Sequence, residues 1–200
     1  MLAKIMQMVE NAKKNRAISD FFSNFAGMMT KVTVTDSDLR RAAQEGMDAF
    51  IAVFVDALRR VIGDELNAET MARLNSWQLT LLGYDILRSE VMDGGFVQLI
   101  HNGYGPFFFL NPFAKMLKQW GMRDLSKMIY EAHTLYLRYK DEIAVDCSDD
   151  EFMAMFERFP EFDDLDDAFV EHEEEFTSQV AHVIDENIEK FAEVTDPGKA

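Results

Sequence analysis

The sequence predicts an all-α fold, a single multi-helix globular domain that ends in an acidic pair of helices. Apolar residues recur at intervals of three and four along most of the chain, which places them on one side of a helix. Cap residues, glycines and prolines fall between these apolar runs, where helix ends are expected. The one β-like run, residues 31–35, is short and has no second run to pair with, so we predict no sheet.

Thr35 and the three polar residues after it predict the start of the first long helix, because a Thr side chain can accept a hydrogen bond from the first helical turn. Helical spacing continues to Ile62, and Gly63 is suited to end the helix. We therefore predict one helix over residues 36–62. Its apolar positions include Ala42, Met47, Phe50, Phe54, Leu58, Val61 and Ile62.

Two further helices lead to the middle of the chain. Asn67 predicts the start of a short piece, and Ser76 opens a longer helix that runs to Gly94-Gly95. Adjacent glycines permit a left-handed backbone and a close turn, so residues 96–101 are predicted as a separate short helix. Gly103, Gly105 and Pro106 then predict a loop.

The second half of the chain is divided in the same way. Asn111 and Pro112 join a cap residue to a proline at the first helical position, which predicts a helix over residues 113–120. Another follows over about residues 122–141. Ser148 and the acids after it begin a helix that ends before Pro160, and the last and longest is predicted over about residues 163–194.

This pattern suggests three parts: an N-terminal helical extension (residues 1–34), a helical core domain (35–145) and acidic C-terminal helices packed on the core (146–200).

The single cysteine, Cys147, excludes an internal disulfide, and residues 1–14 lack the apolar run of a signal peptide. No apolar stretch reaches the roughly 20 residues of a membrane-spanning helix. We expect a cytoplasmic protein without a membrane partner.

The charge of the chain is concentrated at its carboxyl end. Residues 141–200 contain 21 of the 36 acids and three bases, a net charge of −18, whereas residues 1–140 carry a net charge of +2. Such segregation favours a surface that binds a positively charged partner over a surface whose charges only keep the protein in solution. Direct binding to nucleic acid is disfavoured, because this acidic third would repel phosphates.

The acidic segment differs from a disordered tail by its apolar period. Leu165, Phe169, Phe176, Val180 and Ile184 are part of one seam of a helix. Asp166 and Glu173 interrupt that seam and are expected at its edge or at a bend. The residues on the opposite side, which we predict to bind a partner, are Asp163, Asp164, Asp167, Glu171, Glu174, Glu175, Asp185 and Glu189.

The glycine-rich stretch at residues 93–105 resembles the bacterial DNA-mimic protein family, whose C-terminal domain has also been catalogued as a domain of unknown function. That family has Asn-Gly-Gly-Phe-x-Gln, then an aromatic or apolar pair, then Asn with a glycine three residues on. The residues that match are Gly94, Gly95, Phe96, Gln98, Asn102 and Gly105. The similarity extends over residues 75–132, with Asp93 and Leu99-Ile100 as departures from the usual residues.

This resemblance implies a dimeric, acidic, mostly helical protein that occupies the DNA-binding surface of a regulator, and hence a role in transcription regulation. The expected partner is a basic DNA-binding protein, either a transcription factor or a nucleoid protein. The motif contains none of the acids on the predicted face, so the resemblance assigns no residue to that surface. Two alternatives stay open: a structural or scaffolding helical protein with a solvated acidic face, and a small-ligand site near residues 94–102.

No catalytic, cofactor or metal site is predicted. The four histidines are scattered without metal-binding spacing, residues 163–167 lack the glycine and glutamate of a calcium loop, and Cys147 lies among acids that disfavour its thiolate. If a catalytic site exists, Gln98, His101 and Asn102 are the best candidates.

Two aromatic segments have two interpretations each. Residues 104–113 contain five aromatics, which either fill the core or contact a second subunit or partner. Residues 18–29 are similarly apolar and dock either on the domain or on a neighbouring subunit. Thirteen methionines suit both an irregular core and an adaptable interface.

Overall fold

The structure, a computed structural model, describes residues 31–63 and 66–196. It confirms the all-α prediction, because helices contain 79% of the described residues and form a single globular domain. In chain order the elements are β1 (Thr33–Thr35), α1 (Asp36–Glu45), α2 (Met47–Ile62), α3 (Ala68–Met71), α4 (Ser76–His101), α5 (Gly105–Phe109), α6 (Phe113–Gln119), α7 (Arg123–Ile143), α8 (Asp149–Arg158), a 3-10 turn (Pro160–Phe162), α9 (Asp163–Glu186), α10 (Ile188–Phe191) and β2 (Glu193–Thr195).

Helix α4 is at the centre of the fold. Helices α2 and α9 pack against it and against each other, and α6 and α7 also pack on it. Leu58 of α2, Leu87 of α4 and Phe169 of α9 are completely buried in this core. The acidic helix α9 is therefore part of the domain core, and its apolar side is shielded from water by two neighbouring helices.

The prediction of one helix over residues 36–62 is wrong at Gly46. The backbone there has φ 127° and ψ −177°, so α1 ends at Glu45 and α2 begins at Met47. The N–H of Gly46 still donates to the carbonyl of Ala42, at 3.1 Å. The apolar period continues across this break, which is why it could not be recognised from spacing.

The prediction that the chain has no sheet is also wrong. β1 pairs in parallel with β2, with Thr33 opposite Glu193, and the N–H of Glu193 donates to the carbonyl of Val32 at 2.9 Å. Helix α9 consequently stops short of residue 194. Asn187 leaves helical geometry (φ −139°, ψ 35°), and its side-chain amide donates to the carbonyl of Val183 at 2.9 Å.

The aromatic stretch at residues 104–113 contains a short helix, α5, where we predicted a loop. Phe108, Phe109 and Phe113 are buried, while Tyr104 and Phe107 are half-buried. The ring of Tyr136 lies so close to Gly105 that there is no room for a Cβ atom. These contacts support the core-filling interpretation of this stretch.

Residues 18–29, and most of the predicted N-terminal extension, lie outside the described residues. The division into parts 1–34, 35–145 and 146–200 stays a prediction. Among the helices in the described ranges, none has the length and apolar character needed to cross a bilayer.

Candidate partner-binding surface

Helix α9 begins directly after the 3-10 turn that contains Pro160 and Phe162. Asp163, Asp164 and Asp166 occupy its first turn, where negative charge interacts favourably with the helix dipole. The helix buries one side, which includes Phe169, Phe176, Val180 and Ile184 together with the polar Glu173 and Thr177. Burial of these side chains fixes the orientation of the opposite side.

All eight predicted partner-binding acids are exposed, and we call them the acidic face: Asp163, Asp164, Asp167, Glu171, Glu174, Glu175, Asp185 and Glu189. Seven of them lie on α9 and, at roughly 100° of rotation per residue, fall within an arc of about 120°. Glu189 lies on α10, after the break at Asn187. The carboxylates of α9 therefore point in one general direction and are not dispersed around the helix.

The acidic face contains little positive charge. Among the described residues, Glu189 is the one member of the face within 4.0 Å of a lysine or arginine, with Lys190 Nζ 3.8 Å from its Oε1. His172 Nδ1 lies 3.6 Å from Glu175 Oε2. By contrast, Asp36, Asp38 and Asp85 earlier in the chain each pair with an arginine. The face therefore retains negative charge that a partner could neutralise.

Asp166 is turned away from the acidic face and caps a neighbouring helix. Its Oδ1 accepts a hydrogen bond from the backbone N–H of Phe96, at 2.8 Å. Burial raises the pKa of Asp166 to about 7; the bond from Phe96 opposes this shift, and the nearby charges of Asp163 and Asp167 add to it. The sequence marked Asp166 as an exception but gave no indication of its partner.

The break at Gly94-Gly95 is found where it was predicted, and it creates the site that Asp166 caps. Gly94 has φ −157° and Gly95 has φ 70°, so the helical hydrogen-bond ladder of α4 is interrupted and the N–H of Phe96 needs another acceptor. A Cβ atom on Gly95 would collide with the Asp166 carboxylate. The Gly-Gly-Phe motif thus joins the core to the acidic helix.

The amides of the same motif bind carboxylates within the chain. Gln98 Nε2 donates to Asp93 Oδ2 at 2.8 Å and to Glu90 Oε2 at 3.2 Å, and Asn102 Nδ2 donates to Glu90 Oε2 at 2.8 Å. His101 Nδ1 lies 3.0 Å from the carbonyl oxygen of Ile143, and its ring lies against Phe152. These contacts give all three residues a structural role.

Glu173, the second exception, connects three helices. It is 8% exposed, pairs with the guanidinium of Arg88 and accepts a hydrogen bond from Thr177 Oγ1 at 2.7 Å. Thr177 also bonds the hydroxyl of Tyr84 at 2.7 Å, and burial raises the pKa of Tyr84 to about 12. Arg88 in turn reaches Asp48 on α2. This network holds α9 against α4 and α2.

Within residues 31–63 and 66–196, no group of three or more His, Cys, Asp or Glu side chains is placed to hold a metal ion. Partial burial and the adjacent carboxylates of Glu151, Asp146 and Asp149 raise the pKa of the Cys147 thiol, which disfavours its reactive form.

Comparison with known proteins places the chain beside DNA-mimic proteins. A family model described as DMP19-like protein matches residues 72–188, which extend from the end of α3 into α10. DNA mimic protein DMP19 of Neisseria meningitidis serogroup B (strain ATCC BAA-335 / MC58) is 35% identical over 128 residues, or 63% of this chain and 77% of that protein. Residues 72–188 contain the glycine motif and the whole of α9.

Proposed function

Because the chain belongs to the DMP19-like protein family, we propose that it acts as a DNA mimic. In this proposal the acidic face occupies the phosphate-binding surface of a basic DNA-binding protein and blocks that protein's access to DNA. The observation that carries the proposal is the exposure of seven carboxylates within one arc of a helix that is packed into the core.

Carboxylates can take the place of phosphates because both accept charge-assisted hydrogen bonds from lysine and arginine, and arginine can engage either with two parallel bonds. A flexible acidic tail would lose conformational entropy when its charges are aligned. Here the buried side of α9, the Asp166 cap and the Glu173 network hold the backbone that carries the charges. A partner therefore meets an array that is already ordered.

The alternative is a structural or scaffolding protein whose acids only maintain solubility. The sparse neutralisation of the acidic face favours mimicry, because an ordinary solvated surface usually intersperses both charges. Homodimer formation, a role in transcription regulation and a cytoplasmic location stay predictions.

A capture experiment tests mimicry against scaffolding. The protein is used as bait in a bacterial lysate at moderate salt, and bound DNA-binding proteins are eluted with duplex DNA. Substitution of Glu171, Glu174 and Glu175 by Gln should abolish this capture. The matched control neutralises three exposed acids outside residues 141–200, through Glu69→Gln, Asp124→Asn and Glu131→Gln, and should retain the capture.

A DNA-binding protein identified in this way is then purified and titrated with labelled duplex DNA in the presence of the mimic. Competition that weakens as salt rises is expected, because both ligands depend on the same cationic side chains. Capture that is indifferent to duplex DNA, or that survives in the Gln variant, would favour the scaffolding alternative.

A further inference from the structure

A groove of about 410 Å³ lies between the second half of α9 and the junction of α1 with α2. Gly46, where α1 ends and α2 begins, lies in the wall of the groove that faces α9. The residues that form the two walls include Ser178, Ala181 and His182 on α9, and Gly46, Met47 and Phe50 on the other side.

The groove interrupts the acidic face. At roughly 100° per residue, Ser178, Ala181 and His182 lie in the same arc of α9 as the acids. Between Glu175 and Asp185 this side of the helix carries no acid, a distance of about 15 Å at a rise of roughly 1.5 Å per residue. The face therefore has an acid-free middle between Glu175 and Asp185, where His182 Nε2 lies 3.3 Å from Glu186 Oε1.

The wall opposite α9 is apolar and partly open to water. The Met47 side chain is 45% exposed, and the half-buried Phe50 ring packs edge-on against Phe54, with ring centroids 5.4 Å apart. Methionine is adaptable in shape and frequent at binding surfaces. This wall offers contact area that charge alone does not provide.

We propose that the groove receives a helix of the basic partner, with apolar side chains at its centre and lysine or arginine in the turns on either side. The charge distribution indicates the occupant, because acids of the face flank the acid-free middle at both ends, Glu175 on one side and Asp185 on the other. Ser178, Ala181, His182 and Asp185 form a stripe along α9, so the groove runs along a helix and has the form of the grooves that receive an amphipathic helix. This inference rests on the proposed DNA-mimic function and adds selectivity to it: partners of equal charge are distinguished by their apolar centre.

Two blocked synthetic peptides test the proposal. Both are about 18 residues long, long enough to populate a helix, and carry identical lysine and arginine residues in their first and last turns. One has two leucines at its centre and the other has alanines. Isothermal titration calorimetry at physiological salt should show about tenfold tighter binding of the leucine peptide, the effect expected for partial burial of two leucine side chains.

Two groove variants should remove this preference. Ser178→Trp fills the groove without changing charge, and Met47→Ser removes its exposed apolar wall. Leu137→Trp, a substitution at an exposed position on α7 outside the groove, should retain the tenfold preference. Circular dichroism confirms that each variant is folded.

The results separate the groove assignment from the proposed function. Equal binding of the two peptides by the unmodified protein, or a preference that persists in both groove variants, overturns the groove assignment. The variant with Gln at positions 171, 174 and 175 should bind both peptides more weakly by a similar factor. If it keeps full affinity for both, the proposed function itself is overturned.

Discussion

Asp166 connects the charge of the acidic helix to the backbone of the glycine motif. Its carboxylate replaces the backbone carbonyl that the N–H of Phe96 would bond in an unbroken helix, because the helical ladder is interrupted at Gly94 and Gly95. A capping bond of this kind stabilises by about 1 kcal/mol. Ionisation in a largely buried position opposes that gain, so the stability of this contact depends on pH.

The raised pKa of Asp166, about 7 against roughly 3.9 in an unfolded chain, fixes the direction of this dependence. Between about pH 4 and pH 7 the folded state binds the proton more tightly, so its contribution to the free energy of unfolding falls as pH rises and is level above pH 7. Asp166→Asn keeps an acceptor and removes the titration. We expect the stability of this variant relative to the unmodified protein to rise from pH 5 to pH 8 by about 2–3 kcal/mol, since roughly two units of the pKa difference fall in this window.

Urea unfolding at several pH values measures this difference, and subtracting the two curves cancels the titration of the other acids. Asp166→Ala is the control, because it also removes the charge but leaves the N–H of Phe96 without its acceptor, and it should destabilise by about 1–2 kcal/mol relative to Asp166→Asn. A constant difference between the Asn variant and the unmodified protein from pH 5 to pH 8 would contradict the raised pKa.

At the scale of the elements, the stability cost of placing a side chain at the break in α4 has two parts: strain in the backbone and loss of the contact with Asp166. Gly95 and Gly103 both have positive φ, 70° and 84°, but a Cβ on Gly103 would meet open space, whereas one on Gly95 would meet the Asp166 carboxylate. Gly103→Ala should therefore cost about 1 kcal/mol, the strain of a left-handed alanine. Gly95→Ala should cost more, on the order of 3 kcal/mol, because the capping contact is also displaced.

A double-mutant cycle with Asp166→Ser, measured by chemical unfolding, tests this interpretation. The extra cost of Gly95→Ala should shrink in the Ser background, while the cost of Gly103→Ala should not change. Equal costs for the two glycine substitutions in the unmodified background would show that the contact with Asp166 contributes nothing.

Local signals predicted those helix ends that have local causes. Ser148 and Glu151 form a reciprocal capping box at the start of α8, and Pro160 follows its end, so both ends of α8 were evident. Gly46 was missed because a single glycine costs a helix only about 1 kcal/mol and the apolar period continues across it. β1 was recognised as β-like but judged to be unpaired, because its partner β2 lies near the other end of the chain.

On the candidate surface too, features set by position along a helix could be predicted, whereas features set by tertiary packing could not. Helical periodicity identified the eight acids and marked Asp166 and Glu173 as exceptions, because exposure on a helix follows from position along the chain. Their partners, Phe96 and Arg88, lie on α4 and are brought near by tertiary packing. The groove beside α9 also depends on that packing, since its two walls come from opposite ends of the chain.

At the scale of the whole molecule, the separation of charge implies a conflict between stability and binding. The acidic face concentrates like charges on the folded surface, and their repulsion disfavours the folded state until a basic partner neutralises them. Removing some of these charges should stabilise the isolated protein while weakening its binding. Surfaces that serve only solubility have no reason to retain this cost.

Thermal unfolding of the variant with Gln at positions 171, 174 and 175 tests this conflict. Its midpoint should exceed that of the unmodified protein at low salt, and the difference should shrink as salt rises, because the Debye length falls from about 30 Å at 0.01 M to about 3 Å at 1 M. The control with neutral residues at positions 69, 124 and 131 should show a smaller gain, since Glu131 forms an ion pair with Lys127 and Asp124 lies in the first turn of α7. A low-salt midpoint no higher than that of the unmodified protein would mean that the acids of α9 do not repel one another enough to matter. The charge separation would then no longer argue for a surface that is retained for binding.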